Sequence, residues 1–219
     1  HRAADGVASQ RPVGRQIADH GRQLLAGDPG HGIAPAASPA RTRPTNPGAM
    51  DTTTSPTIKN NVISSNHADA GNGGGLNIVS SAFPTVSNNQ INFNTALTTG
   101  GVHLVGSSPI ITNNNIQDNA APTGSGGGLS CNAGSSPVVT GNLLIRNFAG
   151  TNGGGLYANG SVLTLTSNTL ALNSGAADGG GVYVANGARV TLKRDIISHS
   201  PVGNGVSVDA NPSSFVSLT

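Results

Sequence analysis

The chain has 219 residues but no glutamate, no tryptophan, one cysteine (Cys131) and only six aromatics, four Phe and two Tyr. Each shortage closes off a class of protein. With aromatics at 3%, the interior is not an ordinary globular core, in which rings dominate the buried area. The missing Glu removes a strong helix former, while 32 Gly and 13 Pro oppose helix directly and abundant Asn competes for its backbone hydrogen bonds. A lone cysteine closes no internal disulfide. No apolar run approaches the roughly 20 residues that a membrane-spanning helix needs. Charged residues, at 9%, are too few for a disordered chain over this whole length. What remains is an all-β chain that is repetitive and held together by its backbone.

Charge and proline divide the chain. The first 50 residues hold six Arg against three Asp, net +3, and six prolines. The rest holds five basic residues against six Asp, net −1, and 23 asparagines. Residues 1–54 therefore read as an Arg/Pro/Ala-rich, disordered or mispredicted extension that contributes no coil, and 55–219 as the folded domain. The six Arg are scattered, with no aromatic among them to stack on bases, so no nucleic-acid partner is expected.

A search for internal repeats exposes the organisation. A glycine pair before an aliphatic residue recurs as Gly74-Gly75-Leu76, Gly100-Gly101-Val102, Gly127-Gly128-Leu129, Gly154-Gly155-Leu156 and Gly180-Gly181-Val182. Gly203-Asn204-Gly205-Val206 is a degenerate sixth copy. A second motif, first seen at Thr57 to Asn66, stays in phase with it through Thr191 to Ser200, and the two together repeat every 24 to 28 residues.

Stacking the copies turns positions into columns. Two are wholly aliphatic: Ile58, Val86, Ile111, Val139, Leu165, Leu192, and Ile63, Ile91, Ile116, Leu144, Leu170, Ile197. After the glycines come Leu76, Val102, Leu129, Leu156, Val182, Val206, and two residues later Ile78, Leu104, Cys131, Ala158, Val184, Val208. This is period-2 alternation in strands too short to bury a face alone, so each repeat must stack on its neighbours. The pattern predicts parallel strands in three short sheets per coil, with all four columns inside.

Two further columns are asparagine: Asn61, Asn89, Asn114, Asn142, Asn168, ending in Asp195, and Asn66, Asn94, Asn119, Asn147, Asn173, ending in Ser200. Identical amides one coil apart can form a hydrogen-bonded ladder. Asn also tolerates the left-handed backbone of a sharp corner, so these residues are expected to be structural corners.

From about Ser55 onward, the chain resembles a right-handed parallel β-helix of the pectate-lyase-like superfamily, with about six coils. Its Ile63-to-Asn66 and Ile116-to-Asn119 spacing, followed by Gly-Gly-aliphatic, is also similar to the repeats of polymorphic outer-membrane proteins. Those repeats usually read Phe-x-x-Asn and Gly-Gly-Ala-aliphatic. Proteins of this fold include lyases, hydrolases, epimerases, adhesins and autotransporter passenger domains, so the resemblance implies fold more than function.

Catalysis needs convergent groups. A glycosidase requires two carboxylates about 5 to 9.5 Å apart, yet Asp69, Asp118, Asp178, Asp195 and Asp209 fall in different columns or distant coils. His67, His103 and His199 share no column, and the Asp-containing calcium nonapeptide is missing after Gly73-Gly74-Gly75. No catalytic residue, metal or cofactor is therefore expected. Asp118 and Arg146 share an outward position in neighbouring coils and should pair.

The remaining constellation is the column Asn77, His103, Ser130, Tyr157, Tyr183, Ser207, which holds both tyrosines one coil apart. Tyr157 and Tyr183 are either a cross-strand aromatic pair that stabilises the sheet or a stacking platform for sugar, with Asn77, His103 and Ser130 as polar neighbours. The expected role is a non-catalytic, secreted or cell-surface β-helix module that is adhesive or contacts carbohydrate. Its partners would be a polysaccharide or cell-surface glycan and further coils of a longer chain. The alternatives are part of a polysaccharide lyase or hydrolase whose catalytic coils lie elsewhere, and a purely structural spacer.

Overall fold

The computed structural model describes residues 55–69, 71–79 and 83–219, together with the backbone strand Leu24–Ala26. The described residues form parallel strands and no helix, and the strands assemble into four sheets that run along one axis. The first sheet holds the strands that follow the glycine pairs, from Leu76–Val79 to Val206–Val208. The second runs from Thr57–Lys59 to Phe215–Leu218, and the third from Val62–Ser64 to Ile196–Ser198. The fourth, from His67–Ala68 to Ser174–Gly175, has strands of two residues each.

Register follows the columns read from the sequence. Ile111 pairs with Val86 and Val139, Ile116 with Ile91 and Leu144, and Leu129 with Val102 and Leu156. These side chains are buried and make one continuous apolar interior. At the last coil the columns emerge: Val206 is 37% and Val208 42% exposed, against 0% for Val182 and Val184. The expectation that every aliphatic column lies wholly inside is corrected there, because no described coil covers that end.

Four sheets replace the three expected. The fourth escaped the pattern because two-residue strands are too short to alternate. Its inward column is Ala68, Ala96, Ala121, Ala149, Gly175, and the four alanines are buried. The first glycine of each pair presses against the backbone of these strands. A Cβ on Gly100 would stand 2.4 Å from the Ala120 nitrogen, and one on Gly127 would stand 2.6 Å from the Phe148 nitrogen. The coil is pinched to backbone against backbone, which explains why each repeat carries Gly-Gly.

Both asparagine columns form ladders. Asn94 donates its side-chain amide to Asn119 Oδ1 at 3.0 Å and to the Ile63 carbonyl of the preceding coil at 2.9 Å. The other column runs the same way through Asn61, Asn89, Asn114, Asn142 and Asn168, and ends on Asp195 Oδ1. The left-handed backbone, however, falls one residue earlier. Asn60, Ser65, Asn88, Phe93, Asn113, Asp118, Gly141, Arg146, Ser167 and Leu172 all have φ between 51° and 66°, and each precedes a ladder asparagine. The left-handed residue turns the corner and points its side chain outward, leaving the next side chain to run along the axis.

One strand of the leader is described. Leu24–Ala26 pairs in parallel with Leu76–Ile78 and extends the first sheet by one strand. An open sheet edge presents unpaired N–H and C=O groups to any segment able to reach it. The rest of that extension lies outside the described residues.

Candidate functional site

The outer face of the first sheet carries the tyrosine column. Leu156–Asn159 and Val182–Ala185 are adjacent strands with Tyr157 opposite Tyr183. Alternation sends Leu156 and Ala158 inward, so Tyr157 points out. The rings stack with centroids 6.0 Å apart and planes inclined by 18°, and both residues are partly exposed. Burial, followed by the negative potential of Tyr183 and Asp209, holds the Tyr157 phenol above its ordinary pKa.

The polar neighbours behave differently. Asn77, His103 and Ser130 do lie in this column, in register with the tyrosines, but they are 6%, 4% and 1% exposed. Their expected availability to a ligand is corrected: the segment leading into each glycine pair folds over the outer face. A Cβ on Gly126 would sit 2.6 Å from Ser130 Cβ, and one on Gly73 would sit 3.1 Å from His103 Cβ. In the second coil Thr99 takes the position of Gly73, and its Oγ1 lies 3.0 Å from His103 Nδ1. Burial lowers the His103 pKa to about 4. The tyrosines reach past the covering segment only because they are long.

A family model described as a right-handed β-helix region matches residues 48–217. The chain belongs to the right-handed β-helix family. No curated protein and no solved structure matches it.

Within this right-handed β-helix, Asp69 pairs with His67 at 2.7 Å on the surface, and the other four candidate carboxylates serve as acceptors. Asp178 Oδ1 takes the Gly179 N–H at 2.7 Å and both the backbone and side-chain N–H groups of Asn204 at 3.1 Å. Asp195 Oδ1 takes two donors from Asn168, and its Oδ2 takes the Lys193 N–H. Asp209 accepts from Asn186 and Asn211. Asp118 is held bidentately by Arg146 at 2.7 and 2.8 Å, as the shared outward position required. Hydrogen bonds led by the Asn204 backbone hold Asp178 below the usual carboxylate range, and bonds led by Ser214 do the same for Asp209. Among the described residues, no group of three or more His, Cys, Asp or Glu could hold a metal ion. Cys131 is buried in the interior, which pushes its thiol pKa far up.

Sequence reasoning missed the groups that do flank the tyrosines. Asn159 lies two residues beyond Tyr157 on the same strand, and its Oδ1 accepts the Asn186 side-chain amide at 2.8 Å. Asp209 extends the same outer row, because its N–H donates to Val184 in continuation of the ladder. The signal was there, since these positions follow the tyrosine column by two. Asp178 was beyond the reach of column reading, because it reaches the site from a loop.

Proposed function

We propose that this β-helix is a non-catalytic module, secreted or displayed at the cell surface, that contacts carbohydrate through the outer face of its first sheet. The observation that carries this reading is the stacked, partly exposed pair Tyr157–Tyr183 on a rigid sheet, with asparagine amides beside it. Aromatic faces and edges present an apolar body with a polar tip, which suits the C–H and O–H faces of a sugar ring. The non-catalytic part of the proposal is supported by the carboxylates. Asp178, Asp195 and Asp209 accept turn and ladder donors, and Asp178 and Asp209 have depressed pKa values. Neither property suits a general acid, which needs a raised pKa.

A structural spacer is the competing reading, and the burial of Asn77, His103 and Ser130 favours it. A glycan array probed with wild type and the Tyr157→Ala/Tyr183→Ala variant separates the two. The glycan reading expects binding to vanish while stability falls by about 1 kcal/mol, the order of a lost cross-strand aromatic pair. An equal stability loss with unchanged binding, or a wild type that retains no glycan, favours the spacer.

A further inference from the structure

The groups around the tyrosine pair share one sign of charge. One outer row runs Tyr157, Tyr183, Ser207 and the next runs Asn159, Ala185, Asp209. Asp178 enters from the side: its neighbour Gly179 packs so closely on Tyr183 that an added Cβ would lie 2.7 Å from Tyr183 Cβ. Its carboxylate accepts from Asn204, whose side chain also reaches Ser207 Oγ at 3.4 Å, and Ser207 is the residue opposite Tyr183 in the next coil. Asp178 and Asp209 thus stand on either side of the Tyr183 end of the platform. Neither the two rows nor the flanking segments 176–181 and 201–205 contain Lys or Arg.

These carboxylates remain ionised near neutral pH, because their hydrogen bonds favour the charged form. A carboxylated sugar laid across the tyrosines would bring a third negative charge with no cation to meet it. Like charges juxtaposed at a contact oppose binding strongly enough to set specificity. A neutral sugar meets the same groups as hydroxyl donors facing carboxylate and amide acceptors, which is a favourable, charge-assisted arrangement.

Building on the carbohydrate reading above, we infer that this face selects neutral glycans and rejects uronate polymers. The test is a titration of wild-type protein with neutral cello- and manno-oligosaccharides and with oligogalacturonates of matched length, at low and high salt. Oligogalacturonates are expected to bind at least about tenfold more weakly at low salt. Added salt should narrow that gap by screening the repulsion, and Asp209→Asn should narrow it at fixed salt. Asp209→Asn keeps an amide oxygen for one of the two backbone donors that Asp209 holds, Asn186 and Asn211, and its urea midpoint is measured alongside so that a loss of folding is told apart from a loss of charge. Oligogalacturonates that bind as well as neutral sugars, or a gap that neither salt nor Asp209→Asn alters, would overturn charge selection and leave the glycan reading standing. If neither class binds, the glycan reading falls and this inference with it.

Discussion

Asn119 directs two donors, its backbone N–H and its side-chain amide, at the single Oδ1 of Asn147, at 3.1 and 3.0 Å. Its own Oδ1 receives the same two donors from Asn94, at 3.0 Å each, and its amide also reaches the Ile91 carbonyl at 2.8 Å. Both lone pairs and both amide protons are thereby used, inside a corner where Asn119 is 1% exposed. The end of the other ladder follows the same logic: where no further asparagine waits to accept, Asp195 replaces the amide with a carboxylate.

Asn119→Ala removes the acceptor for two buried donors of Asn94 and the partner of a buried carbonyl. At about 1 to 3 kcal/mol for each buried group left unsatisfied, the variant should lose about 3 to 5 kcal/mol in urea unfolding. A loss below about 1 kcal/mol would mean that water fills the corner, and the ladder would then not hold the coils together.

The pinch between the glycine pairs and the fourth sheet makes two glycines differ. In Gly127→Ala the new methyl would lie 2.5 Å from the Gly154 oxygen and 2.6 Å from the Phe148 nitrogen, both backbone atoms. A cost of about 3 kcal/mol or more is expected, at the upper end for overpacking. At Gly134 φ is +76° and nothing lies within 4 Å, so alanine there should cost only the left-handed penalty of about 1 to 2 kcal/mol. Thermal denaturation of the two variants checks the order, and its reversal would show that the pinch relaxes.

Buried His103 makes stability fall in mild acid. Its folded pKa, about 4, lies below the ordinary 6.5 because burial disfavours the cation. Above pH 6.5 both folded and unfolded chains hold it neutral. As pH falls from 6.5 toward 4 the unfolded chain takes up the proton first, and stability declines by up to about 3 kcal/mol through this residue. Carboxylates whose folded pKa is depressed, such as Asp178 and Asp209, add their loss at lower pH still. Urea midpoints at pH 7.5 and 4.5, for wild type and His103→Gln, test this. The variant should lose most of the difference, and an equal drop in both proteins would assign the effect elsewhere.

Much of the architecture could be read before any coordinates, because a solenoid writes its register into its own sequence. Ile58 pairs with Val86 and Tyr157 with Tyr183 as their shared columns required. What escaped was whatever depends on a side chain's distance from another part of the coil. Ala96 and Ala121 are buried, yet they sit on two-residue strands too short to show alternation. Phe93 and Leu172 give no sign of a left-handed backbone. They adopt it at φ +55° and +59° because the ladder asparagine at the next residue fixes the corner.

The amino-acid order alone determined the parallel coils, the four apolar columns and the two asparagine ladders, since each follows from a period of 24 to 28 residues and from chemistry repeated along one axis. The tertiary structure alone decided what the outer face offers. Alternation places Asn77, His103, Ser130, Tyr157 and Tyr183 on one face but does not record whether a loop lies over it. The segments before the glycines cover the short side chains, leave the tyrosine rings partly exposed, and bring Asp178 in from the side. Loop coverage is a contact across the fold, and a residue's column carries no information about it.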